Sequence, residues 1–194
     1  MIIGIDIDDV LAEFIQEYLI YHNSLNASAY VKEDIQDYNL QNVLPYNREE
    51  ILKRIFAFYE HENFRKLPTL TNAKEVINIL KKTHELHAIT ARPIFTKQNT
   101  TDWINKNFPD AFRSINFSNE YGLSKEHKNK PEICEDLNVN IMIEDNPKYA
   151  EAISKKGIKV LMMTQPWNTK YEHENVEKVK DWNEILKKIN ALQS

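Results

Sequence analysis

The 194-residue sequence has one cysteine, Cys134, so no disulfide can close within the chain. A lone thiol fits a reducing compartment. Only three glycines are present, Gly4, Gly122 and Gly157. They leave no glycine-rich loop for cradling phosphate, and each is a candidate for a local backbone role. A surplus of positive charge is missing too. The formal net charge is −4, which argues against a nucleic-acid polymer or an anionic membrane as partner. A small anionic substrate stays open, because a bound metal can reverse the sign of a site locally. No apolar run approaches the length that crosses a bilayer. The N-terminus lacks the basic start and long apolar core of a secretory leader, since Asp6 interrupts the first apolar run. A cytoplasmic location is therefore expected. The six histidines show no ligand spacing and are expected at the surface. Cys134 falls at an apolar helical position and is expected to be buried and inert.

What is present is the balance of an ordinary globular chain, 42% hydrophobic and 28% charged. The length suits one domain, or one domain carrying an inserted lobe. Residues 2–7 (IIGIDI) read as a buried strand. Apolar residues then recur at helical spacing from Val10 to about Asn23, and residues 48–60 repeat that texture. After Pro68 helices and strands alternate. A helix with a capping-box start at Asn72 and Glu75 leads into the strand 85–90. The helix 96–107 precedes the strand 114–118, and a helix opening at Pro131 precedes the strand 140–144. The helix 147–156, stopped by Gly157, leads to the strand 158–163, and the helix 181–191 closes the chain. Five strands separated by helices predict an α/β fold with a mostly parallel sheet covered on both faces. Residues 14–69 interrupt the alternation. They carry Phe14, Tyr18, Phe56, Phe58, Tyr59 and Phe64 and read as an inserted helical lobe. Residues 1–13 and 70–194 then form the core.

In an open parallel sheet, ligands gather at the carboxyl ends of the strands. The first strand ends in Asp6, Asp8 and Asp9, and the second in Thr90, Ala91 and Arg92. The fourth ends in Glu144, Asp145 and Asn146, and Gln165, Pro166, Trp167 and Asn168 follow the fifth. Lys130 opens the helix leading into the fourth strand. Carboxylates about 4 Å apart repel by roughly 4 kcal/mol per pair at an effective dielectric of 20, a cost that a divalent cation offsets. Oxygen donors without a His/Cys cluster favour Mg²⁺ over Zn²⁺. A cation beside a free carboxylate suits phosphoryl transfer. One Asp can act as nucleophile, and a second carboxyl two residues on can protonate the leaving oxygen and then activate water.

The motifs "DIDDV", "ITARP" and "KPEICEDLNVNIMIEDNP" together resemble the haloacid dehalogenase superfamily of phosphatases. The "LAEF" that follows the first motif, the small helical insertion and "PWN" resemble its 5′(3′)-deoxyribonucleotidase-like branch. The resemblance implies a Rossmann-like three-layer fold with a small inserted helical cap. It implies Asp6 as nucleophile and Asp8 as acid and base, with the Asp8 backbone carbonyl on Mg²⁺. Thr90 would hold the phosphate, with Ala91 and Arg92 beside it, and Lys130 would neutralise the phosphorylated aspartate. Glu144 and Asp145 would complete the metal site, Asp145 being preferred as the direct ligand. Such sheets place the first strand between the second and the fourth. Asp9 stands where many members have glycine, and Lys128 rivals Lys130. The implied activity is hydrolysis of a small phosphate monoester, a nucleoside monophosphate or another metabolite, through an aspartyl-phosphate. A receiver-like signalling module would instead carry its phosphoacceptor on a later strand and lack the insertion, and a binding protein could keep the site without turnover. Of the lobe's aromatics most are expected in the core, with Phe14 and Tyr18 the candidates for stacking on a substrate ring. Trp167 and Asn168 are candidates for the pocket border.

Overall fold

The computed structural model describes residues 1–118 and 128–192; Gly122 and Lys125, one of the lysines near Lys130, lie outside that range. Six parallel strands form one sheet: β1 (Ile2–Ile5), β2 (Glu85–Thr90), β3 (Ser114–Phe117), β4 (Ile141–Glu144), β5 (Lys159–Met163) and β6 (Val176–Val179). Their order is β3-β2-β1-β4-β5-β6. β1 thus lies between β2 and β4, and the carboxyl ends of all three meet.

The sixth strand corrects the expected five. β6 reads Val-Glu-Lys-Val, has β5 as its one neighbour among the described strands and is mostly half-exposed, so it carries no apolar run to announce it. β1 and β4, by contrast, are almost wholly buried, as strands covered on both faces must be. Gly4 belongs to that packing. A Cβ there would sit 2.7 Å from Met142 Sδ and 3.0 Å from Ile89 Cδ1.

Eight α-helices accompany the sheet among the described residues: α1 (Phe14–Asn26), α2 (Arg48–Glu60), α3 (Glu62–Arg65), α4 (Ala73–Leu80), α5 (Lys97–Asn107), α6 (Lys130–Asp136), α7 (Pro147–Ser154) and α8 (Trp182–Ala191). The helix expected from Val10 starts at Phe14. The Ile7 carbonyl accepts from the amides of Leu11 and Ala12 (2.8 and 2.9 Å), which folds residues 7–12 into a tight loop. Val10 and Leu11 are buried in that loop, so their apolar spacing was no sign of a helix. Asn72 also differs from expectation. It adopts φ 64°, and its side chain does not cap α4.

Between β1 and α4 the chain leaves the sheet to form α1, two short 3₁₀ turns, α2 and α3. Its departure and return are stitched together. Glu13 N donates to Pro68 O and Leu70 N to Leu11 O, each at 2.9 Å. In this segment Phe58 meets Phe14, Tyr18 and Phe64 edge-on at 5.5–6.2 Å between centroids. Phe14 and Tyr18, the candidates for ring stacking, are both buried there and lie parallel to each other.

Three histidines are not at the surface as expected. His22, His84 and His87 are buried, each with a hydroxyl partner: Ser28, Thr83 and Ser114 respectively. Cys134 is buried, and burial pushes its thiol up to about 12.

Candidate active site

The carboxyl ends of β1 and β4 bring Asp6, Glu144 and Asp145 together. All three are buried, and each offers a carboxylate oxygen within 4.8 Å of the others. Lys130 enters the same space from α6. That helix is started firmly: Asn129 Oδ1 accepts from Glu132 N at 3.0 Å, Glu132 returns the bond to Asn129 N, and Pro131 fills the first turn. The Lys130 ammonium lies 3.0 Å from Asp6 Oδ1 and 3.1 Å from Glu144 Oε2, and 4.4 Å from the centre of the Tyr149 ring. Lys128, its rival, is exposed and paired with Asp136.

One lysine does not balance three buried carboxyls. Burial pushes all three upward, Glu144 and Asp145 well above the usual range; Lys130 draws them back, and the neighbouring acids add to the rise. On the lysine itself burial works against the charge, but Asp6 and Glu144 outweigh it and hold the ammonium above its ordinary value. Among the described residues the set is short of positive charge and built only of oxygen donors. A hard divalent cation fits it.

The two acids of the β4 end are held differently. Both Glu144 oxygens accept from Lys130 (3.3 and 3.1 Å). Asp145 Oδ2 accepts from Trp167 Nε1 at 3.0 Å, and Asn168 Nδ2 donates to the Asp145 carbonyl at 2.7 Å. Trp167 and Asn168, expected at the pocket border, thus brace the β4 end directly.

Asp8 lies apart from the trio. Its carboxylate faces Arg92, which is itself buried. Thr90, fully buried at the end of β2, accepts from Arg92 N through Oγ1 at 3.1 Å. Asp9 turns to the other side. It has φ 55°, in the left-handed region that favours glycine. Its carboxylate accepts from Ile15 N at 3.1 Å in the first turn of α1 and pairs with Lys32 at 3.2 Å. Burial pushes Asp9 up to about 7 against the pull of Lys32. Two more polar groups lie at the same sheet edge, Asn146, named there from the sequence without a role, and Ser118, which escaped the sequence reading. Ser118 Oγ, after β3, and Asn146 Nδ2, after β4, are buried with no hydrogen-bond partner among the described residues. Their types are too common in loops and helix caps to stand out in sequence.

The sequence matches the family described as 5′ nucleotidase, deoxy (pyrimidine), cytosolic type C protein over residues 1–193. It is 25% identical over 187 residues to a protein of Oceanobacillus iheyensis assigned as a nucleotidase, covering 94% of this chain and 96% of the other. It is 24% identical over 193 residues to a 5′(3′)-deoxyribonucleotidase of Bacillus subtilis, covering 97% and 98%. Among solved structures, the magnesium-bound form of a Bacillus subtilis protein assigned as a HAD-hydrolase superposes with a TM-score of 0.62. That pair shares 13% identity and covers 97% and 98% of the two chains, a likeness of fold.

Proposed function

Starting from a chain that belongs to the 5′ nucleotidase, deoxy (pyrimidine), cytosolic type C family, and so to the phosphomonoester hydrolases of the haloacid dehalogenase type, we propose that it hydrolyses nucleoside monophosphates through an aspartyl-phosphate on Asp6. The observation that carries this reading is the buried trio of Asp6, Glu144 and Asp145 around Lys130. Asp6, Glu144 and Asp145, with the Asp8 carbonyl, would hold Mg²⁺. When bound, the ion would lower the repulsion between the phosphate and the acidic site.

The residues of the chain divide the remaining tasks. Lys130, fixed by the start of α6, neutralises charge on the transferred phosphoryl group. Thr90 and the Ala91 backbone hold the phosphate at the end of β2. Asp6 attacks phosphorus as the ester P–O bond breaks, and Asp8 gives its proton to the leaving oxygen. Water then attacks the phosphorus of phospho-Asp6 and passes a proton to Asp8, which restores both carboxyls. Residues 1–13 and 70–194 serve as the core. Residues 14–69 serve as a cap that closes over the crevice and excludes water. No described helix is long and apolar enough to cross a membrane, and a lone buried thiol suits our reading of a cytoplasmic enzyme.

The test is phosphate release from a panel of nucleoside monophosphates and sugar phosphates, with and without Mg²⁺. Release from nucleotides that needs Mg²⁺ and is lost in Asp6→Asn is the expected result. Release confined to sugar phosphates overturns the nucleotide assignment, and full turnover by Asp6→Asn overturns the nucleophile.

A further inference from the structure

Resting on the reading of Asp8 as acid and base, we propose that Arg92 is a positioning residue that acts through Asp8 and makes no contact with substrate. Its position, directly after Thr90 and Ala91, suits either a substrate contact or a structural one. The geometry points elsewhere. Arg92 Nε donates to both Asp8 oxygens (3.0 and 3.1 Å), and Nη2 donates to Oδ1 at 2.5 Å. Nη1 donates to Thr100 Oγ1 at 3.2 Å, and Thr100 is itself buried on α5. One face of the guanidinium lies against Phe64 of α3, 4.6 Å from the ring centre, and Trp103 is 5.9 Å away. Only 1% of the Arg92 side chain is exposed, against 23% for Asp8. A phosphate-binding arginine needs an open edge, and this one has given its edges to Asp8 and Thr100.

The pairing has a use in the reaction. An aspartate that serves first the leaving oxygen and then water must be held in one orientation between the two steps. A guanidinium fork fixes the plane of a carboxylate as a point-charge lysine does not. After the ester P–O bond breaks and the leaving oxygen has taken the Asp8 proton, Arg92 holds the resulting carboxylate. Water attacks the phosphorus of phospho-Asp6, the Asp6 O–P bond breaks, and that carboxylate accepts the proton that water releases. Arg92 thus serves mainly the second half of the cycle. Phe64 against its face ties this orientation to the inserted helices.

p-Nitrophenyl phosphate separates the halves, because p-nitrophenolate leaves without needing a proton. With Mg²⁺ present, Arg92→Met is expected to release about one equivalent of p-nitrophenolate per enzyme in a burst. Steady turnover then falls roughly 100-fold, the cost of a misplaced reacting group, and KM falls with it, so that kcat/KM stays within about twofold of the parent. Asp8→Asn should show the same burst, and Arg92→Met/Asp8→Asn should turn over no more slowly than Asp8→Asn. Arg92→Lys should recover part of the rate, and it carries the same test if Arg92→Met does not fold. A raised KM with unchanged kcat makes Arg92 a substrate contact and overturns the proposal. So does a loss of rate without a burst, or a double variant slower than Asp8→Asn by the full factor. Wild-type enzyme without phosphatase activity, or an active Asp6→Asn, would instead sink the underlying assignment of function.

Discussion

The carboxyl edge of the sheet and the inserted helices solve opposite packing problems. The edge buries charge. Asp6, Glu144, Asp145, Lys130 and Arg92 are all nearly inaccessible, and each is held by named partners on a neighbouring strand, helix or loop. The insertion buries rings. Phe14, Tyr18, Phe58, Tyr59 and Phe64 pack at varied angles, while pairs such as Lys53–Glu49 and Lys66–Glu62 stay at the surface. Charge taken out of water tolerates few arrangements, because an unpaired buried ion costs several kcal/mol. Aromatic packing tolerates many. The first region is therefore specified residue by residue, and the second by composition and volume.

The largest test of that contrast is Asp6→Asn. Turnover should fall by at least about 10⁴-fold, as expected for loss of a nucleophile, while the metal-free protein keeps or gains thermal stability because one of three crowded carboxyls is gone. A melting curve beside the assay checks both. Phe58→Ala acts in the other direction. It should cost about 3–5 kcal/mol in urea unfolding through the cavity it leaves. A single transition would mean that insertion and sheet unfold together, and two transitions would separate them.

Mg²⁺ at about 100 times its Kd should stabilise the folded protein by about 2.7 kcal/mol, a rise in Tm of roughly 5–10 °C for a chain of this size. The pH dependence without metal should have an unusual sign. Glu144 and Asp145 are pushed well above their ordinary values, and Asp9 to about 7. The folded state therefore keeps protons that the unfolded chain has released. These groups favour folding most below about pH 4, and stability should fall as pH rises through about 7. Added Mg²⁺ should flatten that decline. Lys53→Ala, at an exposed pair on α2, should change stability by less than about 0.5 kcal/mol.

Legibility followed the same division. The central strands β1 and β4 were readable because strands buried on both faces leave unbroken apolar runs, and the polar residues after them were candidates by position alone. β6 was not, since an edge strand of two valines and two charges carries no such run. Val10 and Leu11 misled because a tight buried loop and a helix can share apolar spacing over a few residues. Lys130 and Lys128 differ little in sequence, and only the fold shows one buried at the acids and the other exposed. The pairing of Arg92 with Asp8 joins residues 84 positions apart, a contact without local trace. The buried histidines could not be told from surface ones, because their hydroxyl partners arrive from elsewhere in the chain or from loops. Within residues 14–69, helical texture was visible and ring geometry was not.

The stitches at Glu13–Pro68 and Leu11–Leu70 close the segment between β1 and α4 at its base. Its two ends stand side by side like the terminals of a socket, so length and shape between them can change without shifting the strands beneath. A foreign helical hairpin with the same end-to-end gap could be plugged in there. Such a replacement would have to keep an aromatic ring against Arg92, as Phe64 does, for the Asp8 pairing across the junction to survive.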